Sequence, residues 1–277
     1  MEWDENTASS EENFIPGIYN YCDRWCERCI YTDRCRTFSM EKEIVEALEE
    51  DKQRKKSMEE NKQFWNQIDK AVSEAAETYN DLLPNTKEES LSEIKFLFDD
   101  EEEDAAEAMK DFKENVRKAE NNPLSRAAFK YEKAVTKWFA DRKNKLQIEY
   151  DRNTKNTGVQ YPGIEKELIL KQLSDAIDVI QWYQIQMGIK IQRAFTSAYE
   201  EETDGGFFEG LPKDSEGSAM VALTGIDRSM GAWNVLYKTL NPEKKSIAPF
   251  ITLLFLLRAE LIKLFPGATT FQWPPES

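Results

Sequence analysis

Histidine is absent from this chain of 277 residues. Its absence removes the commonest general base, the Ser–His and Cys–His nucleophile pairs, and imidazole as a metal ligand. Turn formers are scarce, with 11 glycines and 10 prolines. With so few turns, and with Glu, Lys, Ala, Leu and Gln abundant, long helices are expected rather than a many-stranded sheet. Long apolar runs are also missing. The most apolar stretch is Pro249–Leu257, PFITLLFLL, and Arg258 interrupts it. It is about half of the roughly 20 residues a membrane span needs, so it reads as a buried core helix. The opening MEWDENTASSEENF is acidic and polar, without the basic n-region and apolar h-region of a signal peptide. A cytoplasmic, reducing setting with no membrane partner is expected.

The formal net charge is −15, which disfavours non-specific binding to nucleic acid or to an anionic surface. The charge is uneven: from Lys87 to Glu107 ten acidic residues face two lysines, including the unbroken run Asp99–Asp104. Such a run reads first as a solvated face and second as a docking site for a basic protein partner. No phosphate-binding loop, nucleophile elbow or dinucleotide fingerprint appears, and of the three functional readings an enzyme is the least supported. A ferritin-like di-iron site needs Glu-x-x-His pairs, which this chain cannot supply. Asp175, Asp178 and Glu200–Glu202 read instead as a solvated helix face.

What the chain does have is a cysteine cluster. Its only four cysteines, Cys22, Cys26, Cys29 and Cys35, fall in YCDRWCERCIYTDRC with the spacing C-x3-C-x2-C-x5-C. Buried structural cysteines scatter along a sequence, whereas ligands to one centre cluster. Four thiolates on one short loop supply the softness and charge that a tetrahedral zinc or an iron–sulfur cluster requires. Structural zinc sites usually draw two close pairs from separate parts of a chain. A single continuous loop suits a 4Fe–4S cluster better, and that is the preferred reading, with zinc as the alternative. Arg24, Arg28, Arg34 and Arg36 lie in or beside the loop. They either offset the charge of a tetrathiolate centre or pair at the surface with Asp23, Glu27 and Asp33. Trp25 and Tyr31 are expected to shield the site or anchor the loop.

The segment CERCIYTDRC resembles the C-x2-C-x5-C half of the iron–sulfur loop of helix-hairpin-helix DNA glycosylases. The family loop is implied to run C-x6-C-x2-C-x5-C, whereas here Asp23, Arg24 and Trp25 leave a first gap of three. The resemblance covers residues 22–35 and implies only cluster ligation by the cysteines. The family's hairpin signature has no counterpart, since LPKDSEGSA at 211–219 lacks its glycine spacing. The first three cysteines also look like the motif of radical S-adenosylmethionine enzymes, but those need a βα barrel that this helical pattern does not offer.

The rest of the chain reads as an all-α, elongated, multi-helix and mostly antiparallel bundle. Residues 1–14 are expected to be disordered, 15–37 to form the cysteine loop, 38–265 the bundle and 266–277 an irregular tail. Pro16-Gly17 marks a turn. Helical stripes follow at Phe64-Trp65, Ile68, Val72 and Ala75, and at Leu173, Ile177, Ile180, Met187, Ile191 and Phe195. Capping boxes predict a helix from about Thr86 through Phe98, and Asn122-Pro123 is read as a break between helices. Residues 151–163 and 204–214 read as loops. Asn241-Pro242 is read as the opening of the last helix. The small residues Gly217, Ser218, Ala219, Ala222, Gly225 and Gly231 predict close helix approach, and Asp227-Arg228 either line a pocket or make one salt bridge across the bundle.

Overall fold

A computed structural model of the protein describes residues 14–48, 58–82, 112–155, 163–203 and 212–273. The described residues form seven α-helices, and none of them forms a strand. These are α1 (Arg36–Leu48), α2 (Met58–Leu82), α3 (Phe112–Asn121), α4 (Pro123–Lys155), α5 (Gly163–Thr203), α6 (Asp214–Thr239) and α7 (Lys244–Leu264). The all-α reading therefore holds. Positions 1–13, the helix expected at 86–98, the acidic run 99–104 and most of the 204–214 loop lie outside the described residues. No helix among the described residues is long and apolar enough to cross a membrane.

The chain divides into two units. One comprises Met1–Gln67 with Thr270–Ser277, the other Ile68–Thr269. The first holds the cysteine loop, α1 and the start of α2. The second holds the remaining helices and is organised around α6. Most of that helix is buried: Ala219, Ala222, Ile226, Ala232, Trp233 and Leu236 are all at or near zero exposure, while Met220, Thr224, Asp227 and Lys238 mark its more open side. A helix with so wide an apolar face belongs at the centre of its unit. Its small residues let its neighbours approach. A Cβ on Gly225 would stand 2.9 Å from the Tyr183 ring, and one on Gly231 would stand 2.7 Å from the Val72 backbone nitrogen.

Two partners of α6, α5 and α7, run antiparallel to it. Asp214 at its start accepts hydrogen bonds from Arg193 and Ser197, and Ser215 donates to Glu201, all near the end of α5. Further along, Gly225 meets Tyr183 and Met187. On α7, Phe250 stacks on Trp233 with ring centroids 4.5 Å apart, and Arg258 pairs with Asp227 at 2.6 Å. The salt-bridge reading of Asp227 is the one realised. Burial pushes the Asp227 carboxyl above the usual carboxylate range, and the guanidinium of Arg258 opposes that rise. Arg228 donates to the Tyr183 hydroxyl. The apolar run 249–257 is core as expected, with Phe250, Ile251, Leu253, Leu254 and Leu257 buried.

One reading is extended and two are corrected. Asn122 does more than separate helices. Its Oδ1 accepts the Leu124 amide at 2.9 Å, which makes it the N-cap of α4 with Pro123 in the first helical position. Residues 151–155 continue α4 instead of opening the loop, because no proline or glycine stops the helix there. The carboxylates read as one solvated face also diverge. Asp178 and Glu202 are exposed, but Asp175 is buried and Glu201 caps the first turn of α6. Sequence spacing cannot show which flank of a 41-residue helix a neighbour will cover.

Gly231→Ala tests the close approach. Helix propensity alone favours alanine by about 1 kcal/mol. The added methyl meets the Val72 nitrogen and the Ile68 carbonyl oxygen, backbone atoms that cannot rotate away. Overpacking of this kind costs about 1–3 kcal/mol. The expected outcome of thermal unfolding is a lower Tm for the variant; an unchanged or raised Tm contradicts the tight crossing.

Candidate metal centre

The cysteine loop opens on a turn that its sequence dictates. Pro16 presets one backbone angle, and Gly17 adopts φ +67°, the left-handed conformation that position needs. The Ile18 amide bonds back to the Ile15 carbonyl at 3.4 Å. Ile15 and Ile18 are buried by this turn. The Ile15 amide also donates to the Arg34 carbonyl at 3.0 Å. That bond brings the two ends of the loop together, with Cys22, Cys26 and Cys29 between them and Cys35 directly after Arg34.

Within the loop, two short 3-10 turns, Cys26–Arg28 and Thr32–Arg34, keep the chain tightly coiled. The Cys29 amide donates to the Cys26 carbonyl at 3.2 Å, so the C-x2-C pair is closed by its own backbone. The Tyr31 amide donates to Cys29 Sγ at 3.3 Å. A backbone N–H aimed at sulfur favours the thiolate and is the kind of outer interaction that tunes a metal–sulfur centre. The Cys22 thiol donates to the Tyr19 carbonyl at 3.5 Å. The Cys35 carbonyl accepts the Ser39 amide at 3.0 Å, which places Cys35 at the N-terminus of α1. The positive end of that helix favours negative charge there.

All four cysteines are half-buried, and no disulfide joins them. Burial pushes the Cys26 thiol up to about 12, with Glu41, Cys29, Cys22 and Glu27 adding to the rise. The Cys29 thiol is also pushed up, first by burial; the Tyr31 amide opposes this, while Asp23, Cys22 and Cys35 add to it. These mutual influences put the four sulfurs in one electrostatic neighbourhood. They also show that acidic groups act on it. Such surroundings resist ionisation of Cys26 and Cys29. Among the described residues, no group of three or more Cys, Asp or Glu stands arranged around a single point as a ready metal-binding group.

Trp25 is buried, as the sequence led us to expect, and Tyr31 is half-buried. Trp25 packs edge-on against Phe64 and Trp65 at centroid distances of 5.9 and 5.7 Å. The Trp65 indole N–H donates to the Arg28 carbonyl at 2.6 Å. Arg28 is itself buried, its guanidinium carbon 3.6 Å from the centre of the Phe64 ring. Its charge is thus held by an aromatic face, a role that neither reading of the loop arginines anticipated. Arg24 is exposed and has φ +58°, the only non-glycine among the described residues with positive φ. It sits in the three-residue gap between Cys22 and Cys26, where the chain must double back. Nothing in the sequence signalled that, since a glycine or asparagine is the residue expected there.

The tail also enters this unit. The Tyr21 ring, next to Cys22, is edge-on to Phe271 at 5.0 Å and to Trp273 at 5.2 Å. Comparison of the chain with known protein families, curated proteins and solved structures found no match. The chemistry of the loop must therefore be argued from its own residues.

Arg24 separates conformation from charge. A left-handed residue with a Cβ carries about 1–2 kcal/mol of strain. Asparagine tolerates that conformation, whereas a β-branched residue does not. Arg24→Asn is expected to leave amide exchange across residues 22–35 unchanged or slower, and Arg24→Val to speed it about tenfold. Equal acceleration in both variants would show that the arginine's charge matters and its backbone angle does not.

Proposed function

We propose that Cys22, Cys26, Cys29 and Cys35 together bind one metal centre, a 4Fe–4S cluster, and that its role is structural or redox-sensing rather than catalytic. The observation that carries this reading is the single neighbourhood of four thiols on one loop, with no disulfide among them and acidic groups that act on Cys26 and Cys29. Thiols held up by burial need a cation to become thiolates, and a centre with a positive core supplies one. The Tyr31 amide on Cys29 and the helix end at Cys35 support the anionic ligands that result. A reducing, cytoplasmic compartment fits this chemistry, since disulfides rarely persist there.

A zinc-stabilised interaction or scaffold protein is the second reading. The C-x2-C pair at Cys26 and Cys29, closed by its own backbone hydrogen bond, serves a tetrahedral zinc ion equally well. Purification without oxygen distinguishes the two. A 4Fe–4S centre makes the protein brown, with broad visible absorption that bleaches on reduction. Colourless protein with one zinc per chain selects the second reading.

Each cysteine is assigned to the same centre, so Cys→Ser at any of the four positions is expected to lower metal occupancy. If Cys22→Ser retains full occupancy and unchanged spectra, the first cysteine is not a ligand. Metal content by elemental analysis, with the visible spectrum of the same sample, provides the check.

A further inference from the structure

The aromatic seat at Tyr21 extends the proposed centre to the other end of the chain. Phe271 and Trp273 are half-buried, while Thr270 and Gln272 beside them are exposed. The segment thus turns alternate side chains inward, and both inward rings meet Tyr21 edge-on, at interplanar angles of 76° and 89°. Thr270–Trp273 belongs to no helix, yet it groups with residues 14–67 rather than with the bundle from which it emerges. Tyr21 adjoins Cys22, and the Cys22 thiol reaches the carbonyl of Tyr19. The backbone that aims the first cysteine is therefore the backbone that carries the ring on which the tail rests.

We propose that Thr270–Trp273 is a working part of the metal site. Its two rings hold Tyr21, and so Cys22, in place for ligation, and loss of the metal releases the tail. The inference rests on the metal reading above and adds to it what such a centre controls. Phe271 and Trp273 are positioning residues, since they touch Tyr21 and not the metal. Thermodynamic linkage makes the coupling reciprocal: if the seated tail strengthens metal binding by some factor, bound metal must strengthen the seating of the tail by the same factor. A chain that senses metal or cluster loss would then report it at Thr270–Trp273.

The experiment uses the full chain and cobalt(II), whose charge-transfer absorption reports thiolate coordination. Phe271→Ala/Trp273→Ala is expected to weaken cobalt binding about tenfold, toward the lower end of the range for coupled sites. Phe271→Tyr/Trp273→Phe keeps both rings and is expected to restore binding to near the native value. In the unaltered protein, bound cobalt is expected to slow amide exchange at residues 270–273 by a similar factor. This last measurement needs no variant, so a misfolded double variant cannot leave the matter undecided. Native cobalt affinity in the double variant, or tail exchange indifferent to cobalt, overturns the proposal while the metal reading stands. An unaltered protein that shows no cobalt–thiolate absorption overturns both.

Discussion

The bundle depends on close access to α6. A helix with so wide an apolar face is stable only if neighbours cover that face closely, and coverage at that density needs places where a backbone or a ring can come within a glycine's radius. Gly225 gives Tyr183 such a place, and Gly231 gives one to Val72 and Ile68. The large side chains of α6 then reach between the neighbours. Trp233 stacks on Phe250 and meets Trp138 edge-on at 5.1 Å. Burying a side chain of this size contributes about 1.5–3 kcal/mol, and the small residues beside it are what let the partner helices close in.

Several polar groups inside this core meet specific partners. The Trp233 indole donates to the Tyr131 hydroxyl at 2.8 Å. Burial pushes the phenol of Tyr131 well above its usual range, so it remains a neutral hydrogen-bonding group. Thr78 donates to Asn234 Oδ1, and the Asn234 amide reaches the Ala71 carbonyl at 3.4 Å. An apolar helix face tolerates sliding, but a buried donor that loses its acceptor is left with an unmet desolvation cost of about 1–3 kcal/mol. These pairs set which turn of α2 lies against which turn of α6.

The cysteine loop is built on a different principle. It has few apolar anchors, chiefly Ile15, Ile18 and Trp25. Its shape comes from backbone closure, from the proline–glycine turn and from a left-handed residue at Arg24. Into that frame it brings four thiols whose neighbours include Glu41, Glu27 and Asp23. A small apolar core leaves the loop short of stabilising interactions, and the cation proposed above would supply cross-linking. The proposed centre and the aromatic seat at Tyr21 are two answers to the same shortage.

By itself the sequence determined that the protein is helical, since few turn residues and stripes at three and four spacing leave little else. It also determined the Pro16-Gly17 turn, the boundary at Asn122-Pro123 and the burial of 249–257, because each rests on the geometry of one residue or on one contiguous pattern. The candidate ligands were legible for the same reason, four cysteines on one loop being a local fact. Tertiary structure alone decided that Asp175 is buried while Asp178, three residues on, is exposed, since that depends on where other helices lie. It alone seated Arg28 on Phe64 and brought Phe271 and Trp273 to Tyr21. Those contacts join positions far apart in the chain, and no local pattern of residue types encodes which distant ring will fill a given space.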